Sequence, residues 1–436
     1  MRVPFAKRTL GNGLDVIVHE SREAPLAAVS VWYHVGSKNE RPGRTGLAHL
    51  FEHLMFEGSA HQPHGYFEPL QEAGAALNGS TSTDRTNYWE VVPTDALRLA
   101  LWMEADRMGW LLPALSEERF QNQREVVLNE RRQSYENRPY GLAQFALLEG
   151  LYPPDHPYHW PTIGHPEDLR AAGVDDARAF FGRFYHPGNA SLAIAGDVDT
   201  ESVFAVVEEL FGEIAAGADV EPPAPAAVAA TRRDFILEDR VELPRLYLAW
   251  PSPPLFADGD AELDLTADIL GNGRTSRLYR RLIHDTRLAT ELAAAQTSRE
   301  LAGTFQVLAT AAPGHTLGEL AAAIIEEVER FLESGPTDAE MARGRAQAES
   351  AFVFRTQTLG GFGGKADQLN AYNVYRGTPD YFDADLGRYL HAAPAMLRDA
   401  AREWLVPEAM LTLSVVPSGR RDLALAPDAP VWVARS

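Results

Sequence analysis

The stretch "GLAHLFEHLMFEGS", Gly46 to Ser59, combines two patterns in one short segment. Apolar residues recur at the three- and four-residue spacing of a helix with one buried stripe; these are Leu47, Leu50, Phe51, Leu54 and Met55. His49, Glu52 and His53 interrupt that apolar run. Polar side chains beside a buried stripe need partners, because unpaired polar groups are costly to bury. The stretch therefore predicts an amphipathic helix that carries a functional set of side chains.

The spacing of the polar residues indicates a metal site. On a helix, His49 and His53 are four residues apart, so both rings leave the same face and converge on one ion. Zinc accepts imidazole nitrogen and usually takes three protein ligands plus water in a catalytic site. Glu52 lies between the histidines, near enough to reach a water on the metal without being a ligand. We therefore expect one Zn2+ per chain, with Glu52 as the general base.

The composition restricts the class of protein. A chain of 436 residues exceeds the usual single core, which favours two or more domains. The formal charge of -21 argues against nucleic acid as a partner, because phosphate binding relies on clustered Lys and Arg. The chain has no cysteine, so any metal must be held by His, Asp or Glu.

No targeting or membrane segment is visible in the sequence. The start, "MRVPFAKRTLGNGLDVIV", has no apolar core after its basic residues, and no later stretch approaches 18 uncharged apolar residues. We therefore expect no membrane partner. The sequence as given predicts a cytoplasmic protein, or a periplasmic one if a signal peptide has been removed.

The chain divides into two similar parts. A Pro- and Ala-rich segment predicts a linker at 217–232, between a zinc-binding catalytic domain at 1–216 and a second domain at 233–436. Both parts show the same order of strand and helix patterns, and "FYHPGNASLAIAGDV" resembles "WLVPEAMLTLSVVPS". The expected fold is α+β, with two homologous domains that each contain an antiparallel-rich sheet covered by helices.

The predicted chemistry is confined to the first domain. The helix around Asp264 corresponds to the helix with His49. Asp264, Ala267 and Asp268 stand at the positions of the three motif residues. The second domain therefore keeps the scaffold and lacks the site.

The motif and its surroundings resemble the pitrilysin and mitochondrial processing peptidase family of zinc metallopeptidases. The motif has the inverted zincin form H-x-x-E-H. Further segments resemble that family in the same order: "YHVGSKNERPGRTGLAHLFEHLMFEGS", "NGSTSTDRTNYWEVVP", "REVVLNERRQ" and "PYHWPTIGHPEDL". The resemblance covers the whole chain and implies a short, two-domain member, half of a clamshell, with an inactive second domain.

The resemblance also implies a third zinc ligand. Counting along the chain does not choose among Glu118, Glu125, Glu130 and Glu136, which all lie in one charged helical segment. In the family this ligand is a glutamate in a later helix, and the match to "VVLNERR" selects Glu130. Many relatives carry another glutamate seven residues earlier, where this chain has Gln123. We expect Gln123 to act in the second shell, by hydrogen bonding.

The strand pattern "LNGSTSTDRTNYW" suggests where a substrate binds. Small and polar residues alternate in it, which is typical of an exposed edge strand. By resemblance, a peptide substrate adds to this edge as an extra strand, beside Asn78, Gly79, Ser80 and Thr81. The alternative is a surface strand that polar residues protect from pairing. Further along, "LGGFGGKADQLN", from Leu359, predicts a flexible connector between helices.

The predicted function is that of a zinc metalloendopeptidase. The alternatives are a non-catalytic assembly or core-type subunit of the same fold, and a peptide-binding module. The intact H-x-x-E-H argues against a scaffold, which has no use for the base.

The resemblance implies a dimer as well. Full-length relatives close a chamber with four domains, and their far half contributes an Arg and a Tyr. The segment "GTFQVLATAAPGHTLGE", from Gly303, contains neither residue. We therefore expect a dimer, either a homodimer or a heterodimer with a metal-free paralogous subunit.

Overall fold

The structure is a computed structural model that describes residues 3–224, 228 and 231–435. Residues 225–227, 229 and 230 of the predicted linker lie outside the described residues. The predicted domain boundaries stay a prediction. They fall between a last helix that ends at Phe211 and a strand that begins at Arg233.

The first half contains a six-stranded sheet and eight helices in its described residues. Its strands are β1 (Ala6–Thr9), β2 (Asp15–Glu20), β3 (Leu26–Tyr33), β4 (Ala76–Thr81), β5 (Thr86–Pro93) and β6 (Ala190–Gly196). Its helices are α1 (Leu47–Leu54), α2 (Phe67–Glu72), α3 (Leu97–Ala114), α4 (Glu117–Arg131), α5 (Ala143–Leu151), α6 (Pro166–Ala171), α7 (Val174–Phe184) and α8 (Thr200–Phe211). The strand order is β1-β2-β6-β3-β5-β4, so β4 lies at one edge.

The second half contains a five-stranded sheet and seven helices in its described residues. Its strands are β7 (Arg233–Asp239), β8 (Arg245–Ser252), β9 (Ala289–Thr297), β10 (Gly303–Ala311) and β11 (Leu411–Pro417). Its helices are α9 (Asp260–Gly271), α10 (Arg277–Tyr279), α11 (Leu317–Ser334), α12 (Asp338–Gln357), α13 (Lys365–Arg376), α14 (Phe382–Leu390) and α15 (Pro394–Trp404). The strand order is β7-β11-β8-β10-β9.

The two sheets have the same topology, which confirms the predicted α+β duplication. Five strands of the first sheet, in the order β2-β6-β3-β5-β4, match the whole of the second. In each sheet the named strands form one parallel pair, β2 with β6 and β7 with β11, and the other pairs are antiparallel. Helix α1 lies between β3 and β4 in the chain, as α9 lies between β8 and β9. The helix with the H-x-x-E-H motif and the helix around Asp264 therefore occupy equivalent positions.

Each half supplies a helix that covers one face of the other half's sheet. Helix α13 buries its apolar residues against β2, β3 and β6 of the first sheet, in a cluster that includes Ala28, Ala193, Leu369 and Tyr372. Helix α5 does the same on the second sheet, where Leu147 packs in a cluster with residues of β7, β8 and β11. The central strands of each sheet are thus buried on both faces, and the two halves share their hydrophobic clusters.

A buried polar cluster joins the turns of the two edge hairpins. The Lys38 side chain is only 2% exposed and forms an ion pair with Glu300, in the β9–β10 turn. His34 Nε2 lies 2.7 Å from the same carboxylate. In the β4–β5 turn, the Asp84 carboxylate accepts hydrogen bonds from the backbone N–H of Glu300 at 3.0 Å and from the Tyr158 hydroxyl at 2.5 Å. The second half therefore holds the end of the hairpin that contains β4.

The cluster predicts a stability change with a defined pH dependence. Burial alone would raise the pKa of Glu300, but the hydrogen bond from His34 and the charges of His34 and Lys38 outweigh it and lower the pKa to about 2. Because this folded-state pKa lies below the ordinary value of 4.5, the stabilisation is present above pH 4.5 and is lost as the pH falls toward 2. Glu300→Gln should lower the free energy of unfolding at pH 7 by about 2–3 kcal/mol. Buried Lys38 loses its nearer ionised partner and keeps only Asp84, at 3.8 Å.

Urea unfolding of Glu300→Gln and the wild type from pH 7 to pH 3 checks this expectation. The matched control is Glu291→Gln, because Glu291 pairs with Arg245 and its side chain is 57% exposed. That control should lose less than about 1 kcal/mol. Equal losses in the two variants would contradict a buried, charge-dependent contact.

Candidate active site

Helix α1 has the amphipathic form that the sequence predicts. Leu47, Leu50, Phe51 and Leu54 are buried in the first core, and the polar motif residues lie on the other side of the helix. The start of the helix is fixed by Glu40, whose carboxyl oxygens accept the backbone N–H groups of residues 46 and 48 at 2.9 and 2.8 Å. These N–H groups have no partner within the helix. Burial raises the pKa of Glu40 to about 8.

Three predicted ligands meet beside this helix. The Oε2 atom of Glu130 lies 3.7 Å from His49 Nε2 and 3.3 Å from His53 Nε2. One ligand atom from each residue lies within 4.8 Å of the other two. Tetrahedral ligands at 2.0–2.1 Å from zinc are separated by about 3.3–3.5 Å, so these donors fit the ion with small adjustments. Within the described ranges, this is the one set of three such side chains close enough to share a metal.

The electrostatics of the set suit a divalent cation. Burial, together with the charge of His53, lowers the pKa of His49 to about 4, so this imidazole is neutral at neutral pH. The pKa of Glu130 is lowered chiefly by its hydrogen bond with His53 and further by the charge of His49, against the effect of burial. A neutral imidazole and an ionised carboxylate are the forms that bind a metal.

Glu52 lies beside the three donors and is held by the edge strand. The Thr81 hydroxyl donates a hydrogen bond of 2.7 Å to Glu52 Oε2. Burial raises the pKa of Glu52, and the hydrogen bond from Thr81 opposes that rise in part. A carboxylate with a raised pKa is a better proton acceptor near neutral pH than an ordinary one.

The structure distinguishes the glutamates that counting left open. Glu130 lies in the last turn of α4, next to α1, just before a single π-helical segment, Arg132–Glu136. Glu136 accepts a hydrogen bond of 2.9 Å from Arg131, and Glu125 is exposed. The buried Arg131 also donates to the carbonyl of Gly164 at 2.7 Å, which fixes the end of α4. Glu118 is exposed near the start of the same helix.

The remaining predicted site residues lie on β4 and α4. Strand β4 occupies the edge of its sheet, as predicted. The Asn78 side chain accepts the N–H of Gly79 at 2.8 Å, and the Ser80 hydroxyl donates to Asn87 at 2.7 Å. Gln123 donates to Glu57 at 2.7 Å, so its side chain bonds a residue just beyond α1.

At the equivalent place the second half has two aspartates and an alanine instead of the motif residues. Asp264 accepts a hydrogen bond of 2.6 Å from the Tyr389 hydroxyl, and Asp268 accepts one of 2.8 Å from Asn272. Ala267, at the position of the base, is buried. These contacts leave the two acids in structural hydrogen bonds, and the described residues contain no second donor set there.

Sequence reasoning missed the residues that hold the site together. Glu40 fixes the start of α1, Arg131 fixes the end of α4, and Arg85 donates to the carbonyl of Ser80 at 2.9 Å. Each bonds a backbone group that is distant in the chain or on a neighbouring turn. A single sequence contains no signal for such contacts.

Comparison with known proteins identifies the family. The model "Insulinase (Peptidase family M16)" matches residues 15–152, which include the motif and Glu130. The model "Peptidase M16 inactive domain" matches residues 172–348. The chain belongs to peptidase family M16. The two matches follow one another along the chain, the first within the first half and the second beginning just before α7 and extending into the second half.

The relatives of this M16 chain include named zinc proteases. Zinc protease PqqE of Helicobacter pylori is 28% identical over 379 residues, which cover 86% of this chain and 85% of that protein. The crystal structure of a protease from Helicobacter pylori superimposes with a TM-score of 0.87 and 26% identity, over 95% of this chain and all of that one. The periplasmic protease PqqL of Escherichia coli matches with a TM-score of 0.78 and 17% identity, over 98% of this chain and 50% of that one.

In the described part of the M16 chain, no helix has the length and apolar character needed to cross a membrane. The architecture and the family matches both indicate an M16 protein of two similar halves, and curated relatives of the chain are named zinc proteases.

The geometry predicts which glutamate controls metal affinity. Glu130→Gln should weaken zinc binding at least about tenfold, because the neutral amide replaces the one carboxylate within reach of both histidines. Glu125→Gln, on the exposed side of the same helix, should leave zinc affinity unchanged. Competition with a chromogenic chelator measures both variants. Loss of zinc in the Glu125 variant alone would show that the helix register is wrong.

Proposed function

We propose that this protein is a zinc-dependent endopeptidase in which His49, His53 and Glu130 hold the ion and Glu52 is the base. The single observation that supports this most strongly is the meeting of the three donors from α1 and α4 around one point. The family match and the zinc protease names of the relatives point the same way. Zinc, when bound, supplies Lewis-acid polarisation of a carbonyl and lowers the pKa of water to about 7.

The residues around the donors have separate tasks in this proposal. Glu52 accepts the proton of the attacking water and passes it to the leaving amine. Thr81, which donates to Glu52 Oε2, keeps that carboxylate oriented between the donors and the edge strand. The peptide substrate pairs its backbone with β4 as an added strand, along Asn78 to Thr81. Backbone pairing places the scissile bond beside Glu52 and selects little among the side chains of the substrate.

The competing function is a non-catalytic assembly or core-type subunit of the same fold. A subunit of that kind needs only the scaffold and an interface. In the second half, the two acids at the motif position form structural hydrogen bonds of this scaffold type. It has no need of a buried glutamate held beside a donor set. The position of Glu52 beside the three donors favours a peptidase over a non-catalytic subunit.

Replacing the base tests the proposal directly. Glu52→Gln keeps the shape, the acceptor for Thr81 and all three donors, but it removes the proton acceptor. We expect zinc to remain bound and cleavage of a quenched fluorescent peptide to fall at least about a hundredfold. The matched control is Glu57→Gln, which changes a nearby glutamate that bonds Gln123. That control should keep turnover, and normal turnover in Glu52→Gln would exclude the assigned base.

We further propose that the chain acts as a dimer that closes a chamber around the peptide. This chain matches 50% of the length of the PqqL chain, so one copy corresponds to half of that longer protein. The β10 segment and the turn that follows contain neither an Arg nor a Tyr to complete the site from the second half. In this proposal, the Arg and the Tyr come either from a second copy of the chain or from a metal-free paralogous subunit.

Solution mass and activity of the purified chain check the dimer. For a homodimer, size-exclusion chromatography with light scattering should give about twice the single-chain mass, and the purified chain should cleave the peptide without any added protein. A heterodimer predicts an inactive or weakly active chain that gains activity when the paralogue is added. A fully active monomer would contradict both forms of dimer. An active homodimer would contradict the need for a paralogous subunit.

A further inference from the structure

The segment that joins α12 to α13 lies on the first sheet, close to its substrate edge. We call residues 359–364 the Phe362 loop. A Cβ atom added to Gly360 would lie 2.7 Å from side-chain atoms of both Ala28 and Val91, so the loop backbone approaches the sheet as closely as glycine allows. The backbone N–H of Gly363 donates to Asp367 at 2.7 Å. Residues 359–364 connect two helices, as predicted, but residues 365–370 of the predicted connector form the start of α13. The connecting residues are packed against the other half.

Side chains of β4 alternate between the two faces of the sheet. Thr81 bonds Glu52 and therefore faces the zinc donors. Ser80 bonds Asn87 and faces the opposite side, and Asn78 shares that second face because it lies two residues earlier. A peptide paired with β4 alternates in the same way. Half of its side chains point toward the donors and the other half toward the second face.

Two aromatic side chains border the second face near the edge. Trp89 of β5 pairs directly with Asn78 of β4. The Phe362 ring packs edge-on against Trp89, with 5.7 Å between ring centroids and an angle of 86°. Phe362 remains 50% exposed. An added strand lies two strand spacings from Trp89, about 10 Å, so only a large substrate side chain could reach the Phe362–Trp89 pair.

Asp367 fixes both the loop and the strand. One carboxylate oxygen accepts the Trp32 indole N–H at 2.6 Å and the Asn87 amide at 2.8 Å, and Asn87 in turn accepts the Ser80 hydroxyl. The other oxygen accepts the N–H of Gly363. A chain of hydrogen bonds thus connects the inactive half to β4. The backbone beside Phe362 is therefore joined to β4 through Asp367 and Asn87.

We propose that Phe362 and Trp89 form an apolar subsite for a substrate side chain on the face turned away from the zinc donors. This inference rests on the peptidase function proposed above. The subsite selects a large apolar or aromatic side chain, because such a side chain covers the exposed half of the Phe362 ring. The inactive half then contributes to substrate choice as well as to the scaffold.

A peptide series tests the subsite with the zinc-loaded full-length chain. Quenched fluorescent peptides of one parent sequence carry Phe or Ser at each position in turn, and kcat/KM is measured for each pair. At one or more positions of one strand face, the wild type should prefer Phe at least about tenfold, the scale of a hydrophobic pocket. Phe362→Ala should reduce that preference below about threefold and leave the Ser peptide unchanged. Phe362→Leu should keep most of the preference.

The matched control is Phe354→Ala, which removes another exposed aromatic of the second half, on α12. This variant should keep the wild-type preference. An unchanged preference in Phe362→Ala, or an equal fall for the Phe and Ser peptides, would overturn the subsite. A zinc-loaded wild type that cleaves none of the peptides would overturn the peptidase function and the subsite with it, so the two failures are distinguishable.

Discussion

The exchange of covering helices between the two halves is the constraint on which the rest of the molecule depends. A sheet with two apolar faces needs cover on both sides, and each half has its own helices on one side only. Helix α13 completes the first sheet, and α5 completes the second. On its own, each half would therefore expose one apolar face of its sheet. This explains why a domain without zinc donors remains part of the molecule.

The second half also contacts the hairpin that contains the edge strand β4. The first sheet ends at β4, and the second half forms hydrogen bonds with the β4–β5 hairpin at two places. Asp367 bonds Asn87, the partner of Ser80, and Glu300 bonds Asp84 in the turn. An edge strand is open to pairing because its outer backbone groups have no neighbour. The second half thus bonds this hairpin while the outer edge of β4 has no neighbouring strand in its sheet.

The zinc donors combine a local contribution with a tertiary one. His49 and His53 are brought together by one helical turn, so their placement requires α1 and little else. Glu130 reaches them only because α4 packs beside α1, with Arg131 bound to the carbonyl of Gly164 and Glu40 bound to the start of α1. The set therefore depends on two helix ends that are each fixed by a buried ionisable side chain.

The sequence by itself determined the α1 helix and the placement of His49, Glu52 and His53 on it, because helical periodicity is a local property of neighbouring residues. It also determined the duplicated α+β order, since both halves repeat the same succession of patterns, and the edge character of β4, since small and polar residues alternate there. The choice of Glu130 came from resemblance, because four glutamates of one charged segment are equivalent by counting. The bonds of Glu40, Arg131 and Asp367 were decided only by the tertiary structure. The same holds for the packing of the Phe362 loop against the first sheet, because these contacts join residues that no local pattern relates.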